Sequence, residues 1–284
     1  MNKTRAAAAL LLAVLLVMTA ACALAATEPN SKTIEESTSY ASRGIRVEID
    51  RWCYAFNKTE LRFFVANVYI DDPSQLQAAF AGEEYSKNLA EATSAIAARH
   101  EAVIAINGDY YNYKDDNGLV IRNGVLYRDK DSTRDQLLIY ADGTFEAIPK
   151  GTFKPGHGQE YVDAGVVQSL TFGPLLVDGG VAVELPKKYI IYTGDTVREP
   201  RTAIGWVDAN HYVLLVADGR RSKWSDKGMT LQEMQQVFVE QGCQVAYNLD
   251  GGGSATMVLN GELVNKTSGS RERNVSDIIY FIAN

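Results

Sequence analysis

The chain reads as an α+β fold, a mixed β-sheet domain with packed helices. Three observations predict it. Short apolar or alternating runs recur, as at residues 45–54, 61–70, 102–106 and 211–217, at strand length and strand period. Asn-Gly or Asp-Gly pairs at 123–124, 142–143, 178–179 and 260–261 separate such runs, and these residues accept the positive φ of tight hairpin turns. Two segments, 74–100 and 230–241, instead carry apolar residues at helical spacing. Helices and strands do not alternate regularly, which argues against a doubly wound sheet.

In chain order, residues 1–25 read as a secretory signal peptide. Lys3 and Arg5 precede an apolar stretch broken only by Thr19, and Ala23-Leu24-Ala25 offers a cleavage pattern. The stretch is short for a membrane span, which needs roughly 20 apolar residues. No transmembrane segment is expected in the mature chain. Cys22 raises lipoprotein anchoring as the lesser alternative, because Thr19 stands where a lipobox usually has Leu. A secreted or envelope-associated protein follows.

Residues 26–44 are rich in Ser, Thr and Glu and read as a flexible linker. One domain spans 45–284. Its first two strands turn at Asn57-Lys58, and 74–100 is expected to form two helices broken near Gly82. The apolar strand 102–106 runs into Asn107-Gly108-Asp109-Tyr110-Tyr111. After the hairpins, strands 201–207 and 211–217 pair through 208–210. Thr230 and Glu233 make a capping box, with Leu231, Met234, Val237 and Phe238 as the buried stripe and Gly242 as the stop. Strand 244–249 then delivers Asp250, and strands 255–259, 262–264 and 278–282 close the chain.

Composition limits the chemistry. The formal charge is −7, falling to −9 once Lys3 and Arg5 are removed with the signal, and an acidic chain is a poor sequence-independent nucleic-acid binder. Three His and three Cys make a zinc enzyme or redox dithiol a poor fit. Cys53 and Cys243 remain after cleavage, and either a bridge or two buried thiols suits them. His100, His157 and His211 read as structural or exposed.

The most unusual segment is Asn248-Leu249-Asp250-Gly251-Gly252-Gly253-Ser254-Ala255-Thr256. Three consecutive glycines cost chain entropy, so a fold keeps them where side chains are not tolerated. One reason is a ligand against backbone amides turned toward an anion; the plainer one is a tight turn beside an exposed Asp. The loop lacks the last Gly of a nucleophile elbow and the Lys of a phosphate-binding Walker loop. Asp115-Asp116-Asn117-Gly118 has Tyr113 where a calcium loop needs its first Asp. Arg201 and Thr202 begin one strand, while Asp218-Gly219-Arg220 ends another. If these ends meet those of Asn107, Asp109 and Asp250, the pocket offers carboxylates, a guanidinium, amides and aromatic faces. That set suits a phosphorylated sugar.

On Asn107-Gly108-x-Tyr110-Tyr111, Gly173-Pro174-Leu175, residues 201–205, Asp218-Gly219, the 248–256 block and Arg273-Asn274-Val275-Ser276, the chain resembles the phosphodiester glycosidase family. Asp109 stands where that family often has Gly, and Tyr110-Tyr111 where a Phe pair is commoner. The resemblance implies a hydrolase cleaving the sugar C1–O bond of GlcNAc-1-phosphodiester-like substrates. Asp250, Arg201 and Asp218 are then the expected catalytic residues. Asn107, Asp109, Tyr110, Thr202, Asn248, Gly251, Gly252, Gly253, Ser254 and Arg273 are the expected substrate-binding set. No cofactor is expected, and dependence on a divalent cation stays open. The rival readings are a non-catalytic envelope protein holding phosphodiester-linked glycopolymers and a cation-dependent hydrolase.

Overall fold

The computed structural model describes residues 31–56, 59–86, 88–110, 117–187, 197–220 and 227–284, and the backbone of Leu16–Met18. A nine-stranded sheet runs in the order Leu16–Met18, Ser31–Ser42, Ile45–Phe56, Thr59–Ile70, His211–Ala217, Arg201–Asp208, Val245–Asn248, Leu175–Asp178 and Val181–Ala182. A five-stranded sheet runs Glu262–Leu263, Met257–Leu259, Ile104–Asn107, Asp277–Phe281 and Leu76–Phe80. Three further strands, Phe145–Ile148, Gln136–Tyr140 and Val166–Leu170, form a small sheet, and Leu119–Arg122 pairs with Val125–Asp129.

Strand period decides where the core lies. In Arg201–Asp208 and His211–Ala217, Ile204, Leu214 and Val216 face the smaller sheet and meet Ile106, Met257, Ile279 and Phe281. The alternate residues Ala203, Val213 and Leu215 face Leu231, Met234 and Phe238 of the helix Leu231–Glu240. Fully burying a Phe or Leu in such layers contributes about 1.5–3 kcal/mol each. The expected capping box forms, with the Thr230 hydroxyl accepting from the Glu233 N–H. Gly205 lets the helix approach closely, since a Cβ there would lie 2.7 Å from Cys243 Sγ and Phe238 Cδ1. Cys243 and Cys53 are both free thiols. The short helix Thr93–Arg99 covers the outer face of the five-stranded sheet through Ile96 and Ala97.

Three expectations need correction. The fold is mostly β, and every strand pairing described is antiparallel, so "mixed" does not describe the sheets. Within the expected linker 26–44, Ser31–Ser42 is a strand paired along the length of Ile45–Phe56. Its Ser and Thr residues are β-compatible, and Glu35 accepts from Arg51 at 3.1 Å and Arg62 at 3.3 Å. Among the described residues of 74–100, only Thr93–Arg99 is α-helical, while Leu76–Phe80 is an edge strand on Asp277–Phe281. Its Ala residues favour helix, but pairing with a buried strand overrides that weak preference. Among the described residues no helix is long and apolar enough to cross a membrane.

Candidate functional site

Antiparallel register places Arg201 opposite Ala217 and Ala203 opposite Asn248. The start of one strand and the ends of its two neighbours therefore share one edge of the large sheet. Asn107, at the end of Ile104–Asn107, joins the smaller sheet to that edge. Its Nδ2 donates to the Asp250 carbonyl at 2.6 Å, and its Oδ1 accepts from the Thr202 hydroxyl at 2.8 Å and the Thr256 N–H at 3.1 Å. Asn107 is fully buried, so it ties three segments together.

Each glycine of the triplet has its own reason. A Cβ on Gly251 would lie 2.5 Å from the Pro200 carbonyl oxygen. Gly252 adopts φ +61° and donates its N–H to that carbonyl at 2.8 Å. Its Cα faces the Arg220 guanidinium, which a Cβ would meet at 3.1 Å; a Cβ on Gly253 would lie 2.9 Å from Arg273 Cδ. The loop is thus lined by two exposed arginines. Arg220 holds a left-handed φ of 59° and its Nε donates to Glu199 Oε2 at 2.5 Å. That conformation is unfavourable for a non-glycine residue.

Asp250 sits at the mouth of this loop, enclosed by protein yet with part of its surface open. The Ser254 hydroxyl donates to its Oδ2 at 2.6 Å. Burial pushes its carboxyl up to about 6, opposed by Ser254, Arg273 and the Gly251 N–H, while Asp109 reinforces the rise. Its proton therefore comes and goes near pH 6 rather than near pH 4.

The side chains at the shared edge diverge. Thr202 points toward the smaller sheet, so Arg201, one residue earlier, points toward the helix side. Its Nε donates to the Met229 carbonyl at 3.0 Å and its Nη2 to the Val197 carbonyl at 2.8 Å. Burial lowers its proton affinity to about 10. Asp218 is buried, and its Oδ1 accepts from the Lys266 N–H at 3.0 Å and Asn265 Nδ2 at 3.4 Å. It lines a separate polar cavity of about 270 Å³ with Glu35, Arg51 and Arg62. The structure thus gathers Asn107, Thr202, Asp250, the glycines, Ser254 and Arg273, and turns Arg201 and Asp218 to neighbouring surroundings.

Behind the loop, Asp109 belongs to a group whose other two members, Arg122 and Asp277, sequence reasoning missed. Asp109, 2% exposed, accepts at Oδ2 from the Thr171 N–H at 2.7 Å and hydroxyl at 3.1 Å. Its N–H donates to Asp277 Oδ1 at 2.8 Å. Asp277 Oδ2 accepts from Arg122 Nε at 2.9 Å and Nη2 at 2.5 Å, and Arg122 Nη2 is 3.8 Å from Asp109 Oδ2. Gly108 makes this possible, because a Cβ there would lie 2.5 Å from Asp277 Oδ1. Burial pushes Asp277 up to about 6, with Arg122 pulling it down and Asp109 pushing it up. The available signal was a lone charge at the end of each wholly apolar run, Leu119-Val120-Ile121-Arg122 and Asp277-Ile278-Ile279.

Asn248 Nδ2 donates to the Gly173 carbonyl at 2.6 Å, and among the described residues its own Oδ1 is buried without a partner, as is Asp109 Oδ1. Tyr110 is half-buried beside Asp109 in sequence, while Tyr111 and residues 115–116 of the calcium-like turn lie outside the described residues. His100, His157 and His211 bond Glu83, Glu160 and Asn67 respectively. Among the described residues no group of three or more His, Cys, Asp or Glu is placed to hold a metal.

A family model for the phosphodiester glycosidases matches residues 100–282. The SPbeta prophage-derived protein YomE of Bacillus subtilis is 30% identical over 200 residues, 66% of this chain and 29% of that protein. Human N-acetylglucosamine-1-phosphodiester alpha-N-acetylglucosaminidase is 36% identical over 110 residues, 37% of this chain and 20% of the enzyme. The chain thus spans less than a third of the length of either relative. The zebrafish N-acetylglucosamine-1-phosphodiester alpha-N-acetylglucosaminidase catalytic domain, auto-inhibited by its pro-peptide, superimposes with a TM-score of 0.68 at 22% identity. That match covers 91% of this chain and 89% of the zebrafish chain, and establishes the shared fold.

Proposed function

The chain belongs to the phosphodiester glycosidase family, and on that premise we propose that it hydrolyses sugar-1-phosphodiesters at the sugar C1–O bond. Water supplies the new oxygen on C1, and the phosphate oxygen leaves with the bonding electron pair. The products are a free sugar and a phosphomonoester. The observation that carries the reading is Asp250: a partly open carboxyl with proton affinity near 6, beside a glycine loop lined by Arg220 and Arg273.

The roles follow from the chemistry. A phosphate ester leaves more readily than an alkoxide, so strong protonation of the leaving group matters less than in ordinary glycoside hydrolysis. Two tasks remain, stabilising positive charge at C1 and holding the departing phosphate. Asp250, ionised above about pH 6, serves the first as general base for water or as electrostatic partner of C1. Arg220 and Arg273 serve the second, since guanidinium forks match phosphate oxygens. Asn107 and Thr202 fix the Asp250 loop. Asn248 and the Tyr110 ring bound the sugar side, Asn248 with a buried acceptor oxygen lacking a donor among the described residues. Arg201 and Asp218 act through the backbone they brace.

GlcNAc is the sugar first in line, and export through the segment 1–25 is part of the same reading. The test incubates the purified protein with UDP-GlcNAc and a GlcNAc-1-phosphate methyl ester and measures released GlcNAc, with and without chelator. Asp250→Asn is expected to lower turnover by about 10²–10⁴-fold. Binding without release across a panel of sugar phosphodiesters would replace this reading with the glycopolymer-binding one. Loss of release with chelator would favour a cation-dependent hydrolase.

A further inference from the structure

Asp109, Arg122 and Asp277 come from three separate stretches of chain: the loop after Ile104–Asn107, the end of Leu119–Arg122 and the start of Asp277–Phe281. Each is at most 2% exposed. Counted as two carboxylates and one guanidinium, they carry a formal charge of −1 where water does not reach. A buried net charge is expensive to keep, and folds that keep one commonly use it. The bonds within the group also divide the work. Both oxygens of Asp277 are used, one by Arg122 and one by the Asp109 N–H. One oxygen of Asp109 is held by Thr171, and the other is buried with no donor among the described residues.

The group backs directly onto Asp250. The Asp250 N–H reaches the Gly108 carbonyl at 3.4 Å, and Asn107 holds the Asp250 carbonyl from the other side. We propose that Asp109, Arg122 and Asp277 act as one buried unit, of formal charge −1 when both carboxyls are ionised, positioned behind Asp250 to determine when Asp250 is ionised. None of the three is a catalytic residue in this account; they act through Asp250. The other groups facing Asp250 are Arg273, the Ser254 hydroxyl and the Gly251 N–H, all of which favour its charged form. Asp109 is the neighbour that opposes them, and Asp109 is held through its N–H by Asp277 and lies 3.8 Å from Arg122 Nη2, so its effect on Asp250 is set within this unit. The significance for hydrolysis rests on the role given to Asp250 above; the electrostatic statement does not.

The test therefore needs no substrate. Carbon-13 carboxyl NMR titrations of the full chain follow the Asp resonances, with that of Asp250 assigned by its loss in Asp250→Asn. Asp109→Asn removes one negative charge at constant shape, and the Asp250 midpoint is expected to fall by about one pH unit. Asp277→Asn also takes the unit to neutrality and frees Arg122 to face Asp109, so it should lower the midpoint in the same direction. If Asp277→Asn does not fold, Asp109→Asn decides the electrostatic claim, and Arg122→Lys, which keeps the charge but loses the fork, tests positioning by changing the midpoint. A midpoint unmoved in Asp109→Asn overturns the proposal. Movement in Asp109→Asn alone, with Asp277→Asn and Arg122→Lys folded and unshifted, overturns the claim that the three act as a unit. If the protein hydrolyses a sugar phosphodiester, the corresponding limb of its pH–rate profile should shift in parallel. Absence of hydrolysis would count against the functional reading while leaving the titration result standing.

Discussion

Asp250→Asn should make the protein more stable, and the gain should grow with pH. The carboxyl rises from its ordinary 3.8 to about 6 on folding, chiefly through burial. A raised acid binds its proton more tightly in the folded chain, so its contribution is most favourable below its unfolded value and is lost as pH rises through about 6. Well above pH 6 the ionised group opposes folding by about 3 kcal/mol. At pH 4.5 the same relation leaves about 1 kcal/mol of that opposition. Asparagine keeps the shape and can still accept from Ser254, but it carries no charge. The stability difference between variant and wild type should therefore increase by about 2 kcal/mol between pH 4.5 and pH 7.5. For a domain of this size that corresponds to a relative gain of about 4–8 °C in melting temperature. The assay is urea or thermal unfolding of both proteins at the two pH values, followed by circular dichroism. Comparing the two differences cancels the other carboxylates and any contact unique to Asn. A difference that is constant across this range, or that shrinks as pH rises, would refute the desolvation argument for Asp250.

Other outcomes separate grip from scaffold. Arg220→Ala and Arg273→Ala should each lower kcat/KM for a sugar phosphodiester by about 10–100-fold, the worth of one charge-assisted phosphate contact, with little change in melting temperature. Arg201→Ala should do the reverse in the first instance, lowering stability by about 2–4 kcal/mol because the Met229 and Val197 carbonyls lose their donors; chemical unfolding reads this directly. Gly251→Ala forces a Cβ to within 2.5 Å of the Pro200 carbonyl, so both stability and turnover should fall, as a melting curve and a release assay would record. Thr230→Ala removes the capping box of Leu231–Glu240 and should cost about 1 kcal/mol without altering kcat.

Local signals were the legible ones. The Asn123-Gly124 hairpin, the capped helix at Thr230 and the strand delivering Asp250 follow from turn chemistry, a capping box and apolar period, and each stands where those signals put it. Pairing was not legible. Ser31–Ser42 looks like a linker because its order comes from pairing with a partner strand, and Leu76–Phe80 looks helical because its Ala residues say nothing about the edge of Asp277–Phe281. The site divides in the same way. Asp250 and the glycines were visible as a motif. Arg122 and Asp277 gain meaning only when strands distant in sequence bring them to Asp109.

The Arg201 assignment follows from one geometric rule. Successive residues in a strand face opposite sides of the sheet, so Arg201 cannot accompany Thr202 toward Asn107, and its guanidinium turns to the helix side and the carbonyls of Val197 and Met229. Arg220 lies beyond the end of its strand, in a left-handed conformation that strand period does not govern. That backbone carries its guanidinium over Gly252, where a side chain would otherwise stand. The glycine and the strained arginine are therefore two halves of one arrangement, an exposed guanidinium paired with Glu199 and laid against a half-buried glycine loop. On the proposed function, the unit behind Asp250 would complete the polarity of the site, with positive charge toward the departing phosphate and negative charge toward the sugar carbon. Charge separation of that kind suits the breaking of a C1–O bond, in which the carbon becomes positive as the phosphate becomes more negative.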